Sequence, residues 1–296
     1  MKIKRLLIPL LALALATSCT VSKQMSQLNT DATLAFDKSD YSTALNAYDS
    51  LISFSTSRGK EADGAIYRNA GIAAWEVGQT QKSLDYLEKA KELEAANGLA
   101  YFTLAKAYLK VDNLSREIIN LGIYLDNYPN GDEIDGVRCQ LYLAYVKSEN
   151  WDLAVDLWNS LNQECKDSQN VLMAYLKMLR QGDDSAEIMS TAEKILQKDS
   201  GNTEAMEALA IELFNNAEAK YQSEMKAYQK NQTMKQYRQL NDALKTINAD
   251  FKRARDYFEK LYRVNPDPRY ATYLGNIYTR FSNKQKADYY YGRAKQ

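Results

Sequence analysis

Apolar residues recur at spacings of three and four along nearly the whole chain, and no stretch alternates with a period of two. That pattern predicts amphipathic helices throughout and essentially no sheet. It runs longest between residues 205 and 264. Ala210, Phe214, Ala217, Tyr221, Met225 and Tyr228 form one stripe there. Met234, Tyr237, Leu240, Leu244, Ile247, Phe251, Ala254, Phe258 and Leu261 form a second. Two such stripes read as the seam of a lengthened, coiled-coil-like antiparallel pair, with the polar run Lys230-Asn231-Gln232-Thr233 at the bend. With 4 Pro and 12 Gly in 296 residues, turns are sparse and helical segments long.

The helical pattern repeats. Leu274, Gly275 and Tyr278 are followed by Ala287, Tyr291 and Ala294. The same frame places Tyr101, Leu104, Ala105 and Tyr108 ahead of Leu121, Tyr124 and Pro129. It places Tyr67, Ala70, Gly71 and Ala74 ahead of Gly78, Leu87 and Ala90. A further copy gives Leu141, Tyr142 and Tyr145, then Ala154, Trp158 and Leu161. Small residues such as Gly71, Ala105 and Gly275 let two helices approach closely, and the aromatics fill the groove to the next pair.

This order resembles the tetratricopeptide repeat, a helix-turn-helix unit of about 34 residues. The resemblance covers residues 25–296 and implies an all-α solenoid of about seven helix pairs, starting near residues 25, 64, 98, 135, 168, 203 and 268. A single pair cannot bury its own apolar faces, so neighbours must stack. The unit starting near 203 spans about 65 residues, so it carries an insertion at about 217–250. Roughly 15 extra residues per arm at about 1.5 Å each would project the hairpin roughly 20–25 Å.

Ahead of the repeats, Lys2, Lys4 and Arg5 precede an apolar run from Leu6 to Ala16, which closes on Ala16-Thr17-Ser18 before Cys19. A charged start, a short apolar stretch and a small-residue end describe a secretory signal over residues 1–18. The run is about half of the ~20 residues a bilayer span needs. The stretch resembles a bacterial lipoprotein signal, which implies lipidation of Cys19 and a short tether over 19–24. The implied location is the cell envelope, anchored in the outer membrane and facing the periplasm. Cys139 and Cys165 are expected as unpaired thiols on different faces of a helix pair.

Composition narrows the chemistry. Histidine is absent, so no Ser-His-Asp triad, Cys-His dyad or HExxH zinc site can form. Lys plus Arg and Asp plus Glu both number 38, which argues against a nucleic-acid reader. Phosphate-loop, dinucleotide and CxxC motifs are missing. Carboxylates such as Glu92, Glu94, Glu117 and Asp156 read as solvated helix faces. The expectation is a non-enzyme with no cofactor and no metal.

In the family resembled, the first helix of each pair lines a groove that holds peptides. Carried onto this sequence, the groove positions are Arg68, Asn69, Ile72 and Trp75, then Phe102, Lys106 and Lys110, then Gln140, Leu143 and Lys147. That face is aromatic and mildly basic, suited to an extended acidic or carboxylate-ended peptide. The implied function is a membrane-anchored scaffold or adaptor for proteins. Self-association through the elongated hairpin or the C-terminal helix, which carries Tyr289, Tyr290 and Tyr291, is the second partner expectation, although these tyrosines are expected to pack inward. The alternative is a glycan-binding lipoprotein related to SusD-like proteins, which also use tetratricopeptide units.

Overall fold

The computed structural model describes residues 23–295, and every regular element among them is an α-helix. The leader and Cys19 lie outside the described residues. Two compact units follow one another, Met1–Asn162 and Gln163–Gln296, a division that the repeat pattern does not mark.

The first unit contains α1 (residues 23–37), α2 (Tyr41–Ser57), α3 (Gly64–Glu76), α4 (Thr80–Glu92), α5 (Gly98–Lys110), α6 (Leu114–Asn127), α7 (Ile134–Lys147) and α8 (Trp151–Trp158). The second contains the one-turn α9 (Gln163–Lys166), then α10 (Gln169–Leu179), α11 (Ser185–Lys198), α12 (Thr203–Lys230), α13 (Met234–Val264), α14 (Pro268–Arg280) and α15 (Lys284–Arg293). The expected seven helix pairs are present, and the sixth is the elongated one.

Helix starts follow side-chain chemistry. Asp40, Asp63, Asn97, Asn113, Asp184, Asn202, Thr233, Asp267 and Asn283 each accept a hydrogen bond from a first-turn backbone N–H, satisfying a donor the helix cannot. Five pairs share one turn between their helices. Ser39, Gly78, Asp112, Glu149 and Ser282 all have φ between 56 and 79° or, for Asp112, 55°. In the second pair Gly78 N–H donates to Trp75 O and Gln79 N–H to Ala74 O, and the same offsets recur at the other four. This is a Schellman-type ending, which satisfies the last carbonyls and reverses the chain in three residues.

The small residues sit where the frame requires them. A Cβ on Gly71 would lie 2.5 Å from Leu87 Cγ, and one on Gly275 would lie 2.6 Å from the Tyr291 ring. Within the first unit α2 packs on α3, α4 on α5 and α6 on α7, while α3 also lies beside α5. Its cores are centred on Tyr48 and Ala70, on Leu87 and Leu104, and on Leu121 and Tyr124. The second unit has one continuous core through Leu209, Phe251, Phe258 and Leu274.

A polar stitch accompanies the apolar stacking. Tyr108 donates to Glu88 at 2.6 Å and accepts from Arg116 at 3.2 Å. Tyr278 donates to Glu259 at 2.5 Å and accepts from Lys286 at 3.0 Å. Each set joins the second helix of one pair to both helices of the next.

Three expectations are corrected, the last in part. Cys139 and Cys165 are both disulfide-bonded; Cys165 sits on α9, which is separate from α8, so the presumed helix-pair geometry does not constrain it. Glu117 is 2% exposed, not solvated. Its place on α6 faces α7, where Gln140 Nε2 donates to it at 2.9 Å. Burial raises its pKa above the ordinary carboxylate value, against the opposing pull of that hydrogen bond. Among the C-terminal tyrosines, Tyr290 stacks on Tyr278 and Tyr291 donates to Asn276, but Tyr289 is 53% exposed.

Candidate functional site

In the first unit α3 and α5 lie side by side as first helices of consecutive pairs. The three-and-four spacing puts Phe102, Lys106 and Lys110 one turn apart on a single stripe of α5. Trp75 stands near the end of α3. Lys106 Nζ lies 4.7 Å from the centre of the Phe102 ring and 5.8 Å from that of Trp75, and Lys110 Nζ lies 5.9 Å from Trp75. Phe102 is buried, fitting against Gly136 of α7, where a Cβ would come within 3.2 Å of its ring. Its anchored ring and the half-buried Trp75 hold the lysine stems while the ammonium groups stay at the surface.

Neither ammonium has a carboxylate within ion-pair distance among the described residues. Other half-buried lysines of this unit do have partners. Lys82 pairs with Asp49 at 2.9 Å and Lys89 with Glu61 at 2.6 Å. Trp75, Phe102, Lys106 and Lys110 therefore form a cationic, aromatic face with its charge uncompensated. Leu109, next to these lysines in sequence and 47% exposed, adds apolar surface on α5.

The remaining polar groove positions are engaged within the fold. Arg68 donates to Asn69 at 3.1 Å and to the Ala95 carbonyl at 3.3 Å. Asn69 Nδ2 donates to the Tyr48 hydroxyl at 3.2 Å. Gln140 is held by Glu117, and Lys147 by Asp112 at 2.5 Å. Of the ten positions the structure thus brings four together, ties Arg68, Asn69, Gln140 and Lys147 to neighbouring helices and turns, and buries Ile72 in the core.

The second unit has an open cleft of about 290 Å³ lined by Glu207, Ile211, Arg269, Tyr270, Thr272 and Tyr273, which sequence reasoning missed. Extending the groove frame to α14 would have found Thr272 and Tyr273. Its charges are already matched. Glu207 accepts from Tyr270 at 3.1 Å and lies 3.6 Å from Arg269 and 4.0 Å from Arg180. Burial first, then Glu207, pushes the Tyr270 hydroxyl up to about 12. The Tyr273 ring stacks on Phe258 at 4.5 Å.

Among the described residues no group of three or more His, Cys, Asp and Glu is placed to hold a metal ion, and no helix is long and apolar enough to cross a membrane.

No family model matches the chain, and no curated protein matches it. Solved structures do resemble it. A tetratricopeptide repeat protein from Parabacteroides merdae is 14% identical, with 92% of this chain and 93% of that one covered and a TM-score of 0.46. The C-terminal part of a TPR repeat-containing protein from Cytophaga hutchinsonii is 15% identical, with 90% and 93% covered and a TM-score of 0.48. YrrB, described as a TPR protein with an unusual peptide-binding site, is 15% identical, with 61% and 89% covered and a TM-score of 0.49.

Proposed function

We propose that the chain is a non-enzymatic binding protein of the bacterial cell envelope. In this reading it holds an extended acidic segment of a protein partner across α3 and α5 of its first unit. The observation that carries it is the pair Lys106 and Lys110, set on Trp75 and Phe102 and lacking intramolecular carboxylates. Two ammonium groups about one turn apart can meet carboxylates on an extended strand, and the flanking rings and Leu109 take its apolar side chains. The Arg180–Glu207–Arg269 cleft, which satisfies its own charges, lacks that driving force.

Anchoring belongs to the same proposal. Lipidation at Cys19 would hold the scaffold at a membrane, with each buried CH2 contributing ~0.8 kcal/mol. The disulfide-bonded state of Cys139 and Cys165 supports an oxidising compartment. Cys19→Ser should release the protein into the soluble fraction, and unchanged membrane fractionation would remove the anchor from the proposal.

Binding is tested by titrating short peptides of alternating Glu and Leu against peptides of alternating Lys and Leu, followed by tryptophan fluorescence. The acidic peptide should bind and the basic one should not. The K106E/K110E double variant should lose about tenfold or more in affinity, since it replaces attraction by repulsion at both contacts. Equal binding of both peptides, an unaffected double variant, or oligosaccharide binding at this face would overturn the reading.

A further inference from the structure

The outer part of the α12–α13 hairpin is positively charged. Between residues 219 and 248 the basic residues are Lys220, Lys226, Lys230, Lys235, Arg238 and Lys245, against the acids Glu224 and Asp242. That is a net charge of +4 in a chain whose total is zero. Among the described residues, Lys245 alone of the six cations has an ion-pair partner, Asp242 at 2.8 Å. Four of them, Lys226, Lys230, Lys235 and Arg238, bracket the bend at residues 231–233. At about 1.5 Å per residue they lie within about 10 Å of the tip.

Beside the polar bend, the tip also exposes apolar surface. Met234, the first residue of α13, is 69% exposed, and Tyr237 is 46% exposed with its ring 6.1 Å from that of Tyr228. The base of the hairpin is fixed. Arg280 of α14 grips Glu218 through two hydrogen bonds, one of 2.9 Å, and its guanidinium covers the Tyr221 ring at 4.2 Å. Below the tip, Ile247 and Phe251 are buried in the core of the unit.

We propose that the tip of the α12–α13 hairpin docks on an anionic phospholipid surface, with Met234 and Tyr237 entering the headgroup layer and the four flanking cations meeting lipid phosphates. Charge complementarity favours this occupant, because a polybasic patch is drawn to anionic lipid by field alone. The tyrosine pair suits the membrane interface, where a ring can be buried and its hydroxyl stay wet. The end of a two-helix hairpin offers only a few hundred Å² at most, since each helix is about 10–12 Å across. A stable protein interface needs about 800 Å² per partner, whereas a lipid surface needs no matching shape. The proposal does not depend on the acidic-peptide reading or on an acyl chain at Cys19.

The test is co-sedimentation of the full chain with vesicles of phosphatidylcholine alone and of phosphatidylcholine with phosphatidylglycerol, at low and high salt. The parent should bind the anionic vesicles, bind the neutral ones far less, and release as salt rises. The K226E/K230E/K235E/R238E variant, all of whose changed positions are exposed, should lose at least about tenfold of the partition onto anionic vesicles. M234S/Y237S leaves the charge unchanged and should also reduce binding. Because parent and variants share the same N-terminal leader, its contribution cancels in the comparison. Equal partition of parent and charge-reversed variant would overturn the proposal. So would indifference to lipid charge, or retention of RNA or an acidic protein by the hairpin in place of vesicles.

Discussion

At the scale of single residues, the repeat is marked more clearly by backbone conformation than by residue type. Ser39, Gly78, Asp112, Glu149 and Ser282 all turn left-handed at the same place in their helix pairs. Only one of them is glycine, the residue that reaches this region without a Cβ clash. Ser39→Gly and Ser282→Gly should therefore each stabilise the protein by about 0.5 kcal/mol, after allowing for the added freedom of the unfolded chain. A rise of about 1–2 °C in melting temperature would register it; a fall at both positions would show that the strain is absent. Gly71 and Gly275 were legible in the sequence because their lack of a side chain is itself the signal, and Leu87 and Tyr291 fill the space. Glu117 was not. Its neighbours in sequence place it in the first turn of α6, where acids are common, and only the arrival of α7 and Gln140 buries it. The same holds for the groove positions. The frame carried over from the resembled family put Arg68, Asn69, Gln140 and Lys147 in one groove, but it could not show that the Ala95 carbonyl, Tyr48, Glu117 and Asp112 would claim them.

At the scale of helices, packing between consecutive pairs is reinforced by a buried tyrosine hydroxyl held between a carboxylate and a cation. Tyr108 is 7% exposed and Tyr278 is 4% exposed, so neither hydroxyl can exchange its partners freely for water. Hydrogen bonds to charged groups contribute more than neutral ones. Tyr108→Phe and Tyr278→Phe keep the ring and its packing but remove the hydroxyl that donates to Glu88 or Glu259. Each should cost about 1–2 kcal/mol, seen as a lower urea midpoint with an unchanged slope. An unshifted midpoint in both would mean that the apolar contacts alone hold adjacent pairs. The long hairpin was legible at this scale because uninterrupted stripes from Ala210 to Tyr228 and from Met234 to Leu261 flank the polar run Lys230-Asn231-Gln232-Thr233, and α12 ends at Lys230 while α13 begins at Met234. Its charge asymmetry was equally present in the sequence. It gains meaning only once Arg280 is seen to fix the base and the tip to stay exposed.

At the scale of the molecule, the absence of histidine removes the side chain whose ordinary pKa lies nearest neutrality. The fold's titrating groups sit on either side. On the acid side, Lys147 holds Asp112 low and Arg269 holds Asp267 low, so their stabilisation is complete above the ordinary carboxylate value and is lost as pH falls. Glu117 runs oppositely, because burial raises it; its contribution is complete at low pH and lost as pH climbs past its folded value. On the alkaline side the hydroxyls of Tyr108, Tyr175, Tyr270 and Tyr290 are each pushed up to about 12, by burial first and then by Glu88, Glu187, Glu207 and Glu259. A raised folded-state pKa means that the fold holds the neutral hydroxyl. Stability from these four is intact below the unfolded tyrosine value of about 10 and is lost as pH rises from there toward 12. The melting temperature should therefore be nearly flat from about pH 7 to 9 and fall steeply above about 10. Tyr290→Phe, which removes one such hydroxyl while keeping the ring stacked on Tyr278, should make that fall shallower. A step in melting temperature between pH 7 and 9, or an alkaline fall identical in the Tyr290 variant, would show that other groups set the pH response. The buried hydroxyls would then be bystanders to the stacking they accompany.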